Sequence, residues 1–195
     1  MSCPLPKRRM MGAQGEIPVT PDDPRSTAPA QEAAMADIIR ARDEDWSLVR
    51  EIRLRSLSSD PSAFGNSWEK ESTYEDSQWQ ERVRKIAWFL AVENGTPIGV
   101  VASRRELDGA ENERELQGMW VTPAHRGTGL SHKLAEAVLG WAKEDGADTV
   151  TLFVSPRNET AYSVYESLGF KDTGERWEVD EDDPEGAWHK LSRGV

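Results

Sequence analysis

From residue 37 onward the apolar positions alternate between two spacings, one suited to strands and one to helices. Asp37-Ile38-Ile39-Arg40-Ala41 reads as a first strand. Trp46, Val49, Ile52 and Leu57 then recur every three to five positions, the spacing of one helix face, with Asp43 or Asp45 placed to cap it. Asp60-Pro61 and Gly65 break that helix, and Ser72 is placed to cap a second one through Trp79 and Val83. Trp88 to Ser103 forms two apolar runs about Asn94-Gly95, the signature of a hairpin. The polar stretch Arg104 to Arg114 predicts a loop, and Glu115 to Val121 a strand ended by Pro123. Leu130, Leu134, Val138 and Trp141 or Ala142 mark an amphipathic helix that Gly146 stops. Thr149 to Val154 is a strand. Asn158 caps a helix with Ala161, Val164, Tyr165 and Leu168 inward, ended by Gly169, and residues 170–179 and 187–193 close the chain as two strands. The order β-α-α-β-β-β-α-β-α-β-β predicts an α/β fold with a helical crossover in its second half.

The first 36 residues differ. Pro4, Pro6, Pro18, Pro21, Pro24 and Pro29 stand among small and charged residues without periodicity, which predicts a disordered tail before a domain at 37–195. Met35 directly precedes the patterned region, so translation starting there is an alternative reading. No apolar run is long enough to span a bilayer, and the basic Lys7-Arg8-Arg9 start has no apolar stretch after it, against a secretory signal. Cys3 is the single cysteine, which excludes an internal disulfide framework and fits a cytoplasmic protein. Net charge is -11. The tail's four basic residues (Lys7, Arg8, Arg9, Arg25) cancel its four acids (Glu16, Asp22, Asp23, Glu32), so the deficit lies on the domain. Such a domain lacks the basic footprint of a nucleic-acid binder. It suits a cationic substrate, although acidity also serves plain solubility.

Candidate chemistry gathers where the fourth predicted strand meets the next helix, at His125-Arg126-Gly127-Thr128-Gly129-Leu130-Ser131. Two glycines let backbone N–H groups face one concavity, and the helix start adds orphan donors and its positive dipole end. Arg126 contributes a planar cation suited to phosphate oxygens. Together these describe a pyrophosphate cradle at a strand-to-helix turn. A nucleotide P-loop would require Gly-Lys-Ser/Thr, whereas Leu130 and Ser131 follow Gly129. A dinucleotide fingerprint would require a third small residue where His132 stands.

Arg126-x-x-Gly129-x-Ser131 after a strand, followed by Asn158, Ala161, Tyr165, Gly169 and Phe170, resembles the GNAT superfamily of acetyl-CoA-dependent N-acetyltransferases. The resemblance covers roughly residues 37–193 and is most specific over 115–170. Ser131 departs from it, standing where glycine or alanine is usual, though its N–H remains available. The resemblance implies a mixed central sheet flanked by helices, acetyl-CoA as acyl donor without a metal, an amine acceptor and a possible homodimer. Cys3 lies in the predicted disordered tail, which argues against an acetyl-cysteine intermediate and predicts direct transfer in a ternary complex. The cofactor would meet Met119, Trp120 and Val121 on the splayed strand end, Arg126 to Ser131 in the cradle (Gly127, Thr128, Gly129 and Leu130 included), Asn158 and Tyr165. The Met119 N–H would polarise the thioester carbonyl, Val121 would pair with the pantetheine arm, and Tyr165 would act as general acid toward the sulfur.

Acetylating a lysine-like amine at pH 7 requires removing a proton whose pKa is about 10.4, a cost of about 4.6 kcal/mol that a base must offset. Glu115 opens the strand six residues before Val121 and shares an alternating face with Gln117 and Met119. It reads either as that base or as a solvated strand-end carboxylate. Tyr165 reads equally as core packing on its helix face, and Asn158 as a plain helix cap. His125 and His132 flank the cradle without a metal-ligand pattern, and His189 lies on the last strand, where it could face the acceptor. The acidic run Glu175, Glu178, Asp180 to Asp183 and Glu185 suits a polycation or a solvated loop. Trp68, Trp120 and Trp177 are candidates to line an acceptor pocket. Two competing classes remain: a non-catalytic acyl-CoA-binding module and a nucleotide-binding protein.

Overall fold

The computed structural model describes residues 36–105, 110–178 and 186–195, which belong to a compact unit spanning Ala34–Val195. The tail with Cys3 and Met35, the middle of the 104–114 loop and the acidic run from Asp180 to Glu185 lie outside the described residues.

Seven strands form one sheet in the order β1-β2-β3-β4-β5-β7-β6. These are β1 (Asp37–Arg40), β2 (Ala87–Glu93), β3 (Thr96–Arg104), β4 (Glu113–Val121), β5 (Thr149–Val154), β6 (Lys171–Trp177) and β7 (Trp188–Gly194). All neighbours are antiparallel except β4 and β5. The parallel pair requires a crossover, which α4 (Leu130–Glu144) supplies. The hairpin between β2 and β3 turns on Asn94 and Gly95, both left-handed at φ 50 and 78°, as a two-residue turn of this kind requires.

Helices cover both faces. On one, α4 buries Leu134, Ala135, Val138 and Ala142 against Val101, Leu152 and Leu191, and α5 (Glu159–Ser167) adds Tyr165. On the other, α1 (Trp46–Ser59) and α3 (Asp76–Lys85) enclose Val49, Ile52 and Val83 with Leu90, Val100 and Trp120. Each fully buried Leu or Ile contributes about 1.5–3 kcal/mol, so two such layers hold the sheet rigid where the site is built.

Two expectations change at the helix ends. The second predicted helix is divided: Ser67 caps a single turn, α2 (Trp68–Glu71), and Ser72 ends that turn rather than opening the next helix. The cap of α3 is Glu75, whose N–H donates to Gln78 Oε1 at 2.8 Å. Asp45 accepts from the Arg42 N–H at 2.8 Å, bracing the entry to α1 without capping its first free donors. Asn158 caps α5 as expected, its Oδ1 accepting from Ala161 N–H at 3.1 Å. The strand expected from Glu115 starts two residues earlier.

Candidate active site

β4 and β5 pair over three positions, Glu113 with Thr149, Arg114 with Val150 and Glu115 with Thr151. Both strands run on past that pairing, and a cleft of about 820 Å³ opens with residues of each in its walls. The Thr122 N–H donates to Ile98 O at 2.9 Å on the β3 side. Backbone groups alternate along a regular strand, so Trp120 N–H points the same way while that of Val121 points toward the gap; Met119 follows a break in the pairing with β3, beyond the reach of that alternation. Of the three strand residues expected to meet a cofactor, Val121 turns its N–H to the gap and Met119 lines the cleft.

Trp120 does neither. Its ring packs in the α1-side core, 5% exposed, and its Nε1 donates to Asp60 Oδ2 at 2.7 Å. Its backbone is paired with Val100 of β3.

A bulge explains a second difference. β3 pairs Val100 with Trp120 but Ala102 with Gln117, so β4 carries an extra residue at Gly118-Met119, with Gly118 at φ 66°. One extra residue shifts the alternation of faces. Leu116, Met119 and Val121 therefore pack on the α4 side, and Glu115 does not share Met119's face. Glu115 is nevertheless in the cleft wall, 13% exposed in its side chain and paired with Arg104 at 3.2 Å. A solvated strand-end carboxylate does not describe it.

The turn after β4 has the shape its glycines implied. Gly127 and Gly129 are left-handed at φ 77 and 84°, and a Cβ on either would meet nothing within 4 Å. The glycines are required by backbone conformation, and the space above them is open. Among the described residues no acceptor takes the N–H groups of residues 127 to 132, the orphan donors of a helix start. Thr128 Oγ1 closes the turn onto His125 O at 2.7 Å. Leu130 is buried under the cradle, and Ser131 is half-buried.

Arg126 is bound differently from the free fork expected. Nε donates to Val121 O at 3.1 Å and Nη2 to Asp60 Oδ2 at 2.7 Å. It braces the cradle against the strand end and the last residue of the α1 region. Burial alone would raise the Asp60 carboxyl, but hydrogen bonds from Trp120, Ser59 and Arg126 outweigh it and hold it below its ordinary value.

Tyr165 and Asn158 both line the cleft. Tyr165 is 6% exposed and stacks edge-on with Phe170, so its packing role is real. Its hydroxyl has no protein partner among the described residues, and burial pushes the phenol above its ordinary value, keeping it protonated.

The remaining candidates scatter. Trp177 lines the cleft and meets Phe153 and Trp188 edge-on, while Trp68 lines a separate hollow beside α1. His189 packs edge-on with Tyr162, with Asp172 3.4 Å from Nδ1, away from the cleft walls. His125 bonds Thr122 Oγ1 at 2.8 Å and His132 bonds Ser167 Oγ at 2.8 Å. No group of three metal-ligating side chains occurs among the described residues, and none of the described helices is long and apolar enough to cross a membrane.

Sequence reasoning missed the charged floor of the cleft. Glu71 is fully buried and takes Arg53 through Nε at 3.1 Å and Nη2 at 2.9 Å, and Arg82 at 2.9 Å. One signal was available, since Arg53 stands on the apolar stripe of α1 between Val49 and Leu57.

Residues 46–170 match the acetyltransferase (GNAT) family model. The chain belongs to that family. The GNAT domain is 33% identical to mouse N-acetyltransferase 8 over 95 residues, 48% of this chain and 42% of that protein. It is 34% identical to mycothiol acetyltransferase of Thermobispora bispora over 144 residues, 71% of this chain and 45% of that protein. The aligned parts thus span less than half of either relative's length. A Salmonella typhimurium structure, described as yncA, a putative acetyltransferase with its cofactor acetyl-CoA, superposes with a TM-score of 0.60 at 23% identity. That superposition covers 80% of this chain and 90% of the other.

Proposed function

We propose that this GNAT domain moves the acetyl group of acetyl-CoA directly to a primary amine within a ternary complex, in the cytoplasm and without a metal. The observation that carries the reading is the alignment of two features. The cleft where β4 and β5 part is lined by Met119, and β4 runs straight from there into the open glycine turn.

In this reading the N–H groups of residues 127 to 131 hold the pyrophosphate, with the N-terminal end of α4 adding its dipole. Val121 N–H pairs with the pantetheine arm and Asn158 borders it. Met119 N–H points at the thioester oxygen, where negative charge develops as the amine attacks; an aimed donor there is worth about 3–4 kcal/mol. Glu115 takes the proton that the ammonium must lose, directly or through water. Tyr165, neutral and aimed at the cleft, gives a proton to the departing thiolate.

Calorimetric titration with acetyl-CoA tests this first. Wild type should bind with micromolar affinity, and Arg126→Ala combined with Gly129→Glu should abolish binding while circular dichroism stays unchanged. Gly129→Glu strains a left-handed residue and puts a carboxylate into the cradle. Failure of the wild type to bind would refute the acetyltransferase reading. Binding without thiol release from any amine would instead favour an acyl-CoA-binding module.

A further inference from the structure

The floor of the cleft holds two guanidinium groups against one carboxylate. Arg53 donates Nε to both Glu71 oxygens and Nη2 to Oε1, and Arg82 donates Nη1 to Oε2. Arg53's side chain is 7% exposed and Glu71's is not exposed at all, so water screens this group poorly. One positive charge remains uncompensated. Arg53 Nη1 has no protein partner among the described residues, and Arg53 is in the cleft wall.

Nη1 is aimed at a particular place. A Cβ on Gly118 would stand 3.4 Å from it, so the missing side chain leaves a passage to that nitrogen. Gly118 is the bulge residue beside Met119, whose N–H is assigned to the reacting carbonyl. The free guanidinium edge and the acyl-transfer point are therefore neighbours. Across the cleft, Phe153, Trp177 and Trp188 form an edge-on aromatic series, with Trp177 48% exposed.

We infer that the acceptor is an α-amino acid with an apolar side group, its carboxylate seated on Arg53 Nη1 beside Gly118 and its side group against Trp177. The inference rests on the acetyltransferase reading and names its substrate class. An α-amino acid separates amine from carboxylate by one carbon. A carboxylate on Nη1 therefore brings the amine to the strand position that polarises the thioester. Arg82 adds long-range attraction, its guanidinium fixed over Tyr74, Trp79 and Trp88. A polyamine, which the acidic composition of the whole chain would suggest, would instead bring a second cation against Arg53 and Arg82. Glu71, the carboxylate that Arg53 and Arg82 bond, is already shared between them.

The transfer balances without a further reactant. The ammonium gives one proton to Glu115, and the neutral amine forms the carbon–nitrogen bond as the carbon–sulfur bond breaks; the thiolate takes a proton from Tyr165, and the second proton shed by the acylated nitrogen returns through water to the Tyr165 oxygen.

The test compares three acceptors that share ring and amine: phenylalanine, phenylalaninamide and phenethylamine, with spermidine as the polycation. Thiol release and direct acetyl-CoA binding are measured on the full chain. Phenylalanine should show kcat/KM about 30-fold above its amide, the effect of one charge-assisted hydrogen-bond pair. Phenethylamine should fall with the amide. Arg53→Lys, which keeps the charge but loses the fork, should raise KM for phenylalanine and leave kcat and the KM of phenethylamine nearly unchanged. Equal use of amide and acid, or preference for spermidine, would overturn the inference even if Arg53 variants failed to fold. Acetyl-CoA binding without acetylation of any of the four would overturn it as well, with the cradle assignment intact. Absence of acetyl-CoA binding would remove the underlying reading and this one together.

Discussion

The Tyr165 side chain is almost completely buried, yet it lines the cleft and its hydroxyl is offered no acceptor by the described protein. A phenol kept only for packing does not need that oxygen, because its ring already meets Phe170 edge-on at 5.7 Å. Replacement by phenylalanine therefore separates the two roles cleanly. Tyr165→Phe should leave stability within about 1 kcal/mol, since ring and contacts stay, and should leave acetyl-CoA affinity unchanged. If the hydroxyl protonates the thiolate, kcat should fall by about 100-fold, the low end of general acid catalysis. Stopped-time thiol release alongside calorimetry gives both numbers. A kcat within a factor of two of wild type would reassign Tyr165 to the core. Arg126 teaches the complementary lesson: a residue chosen for its charge works here as a brace, with two of its nitrogens committed to Val121 O and Asp60.

At the scale of elements, α1 and α2 are tied by the Arg53–Glu71–Arg82 group rather than by apolar burial alone. α2 is a single turn whose one buried side chain is Glu71, so a hydrophobic reading had nothing to find there. Burial works to raise the Glu71 carboxyl, but the hydrogen bonds and charges of Arg53 and Arg82 prevail and lower it. Removing that carboxylate leaves two cations unpaired. Glu71→Ala should cost about 3–5 kcal/mol, read from the urea midpoint. A loss below 1 kcal/mol would show that water relaxes into the gap. This contrast marks what the sequence allowed. Every strand was legible, as were α1, α4 and α5, because apolar periodicity and the caps at Asn158 and Gly146 follow local rules. The glycine turn was legible because positive φ selects glycine. The Gly118 bulge was not, since one unpaired residue leaves no periodic trace, and it is what moves Met119 off the face of Glu115. Nor were long-range polar pairs such as Trp120 with Asp60, sixty positions apart.

Charge at the scale of the molecule points the opposite way from charge in the cleft. The chain carries 35 acidic against 24 basic residues, yet the cleft wall includes Arg53, Arg82, Arg104 and Arg157 against Asp60 and Glu115. Two of the carboxylates that hold this region together, Asp60 and Glu71, lie below their ordinary values of 3.8 and 4.5. A group lowered on folding binds fewer protons in the native than in the unfolded state. Its stabilisation is therefore fully present above the ordinary value and disappears as pH falls through the lower, folded one. Stability should be flat from neutral pH to about 5, fall below that as the unfolded chain takes up protons, and level off only below the lowered, folded values. Urea midpoints measured every half unit from pH 7 to 2.5 give the slope. Asp60→Asn should flatten part of that slope and also loosen acetyl-CoA binding, because Asp60 fixes Arg126 at the cradle. A slope that Asp60→Asn leaves untouched would assign acid sensitivity to the diffuse charge of the surface. The coupling matters because Asp60 receives Trp120 from β4 and Arg126 from the turn on one oxygen. Protonating that oxygen loosens the strand that presents the thioester donor and the loop that holds the phosphates in a single step.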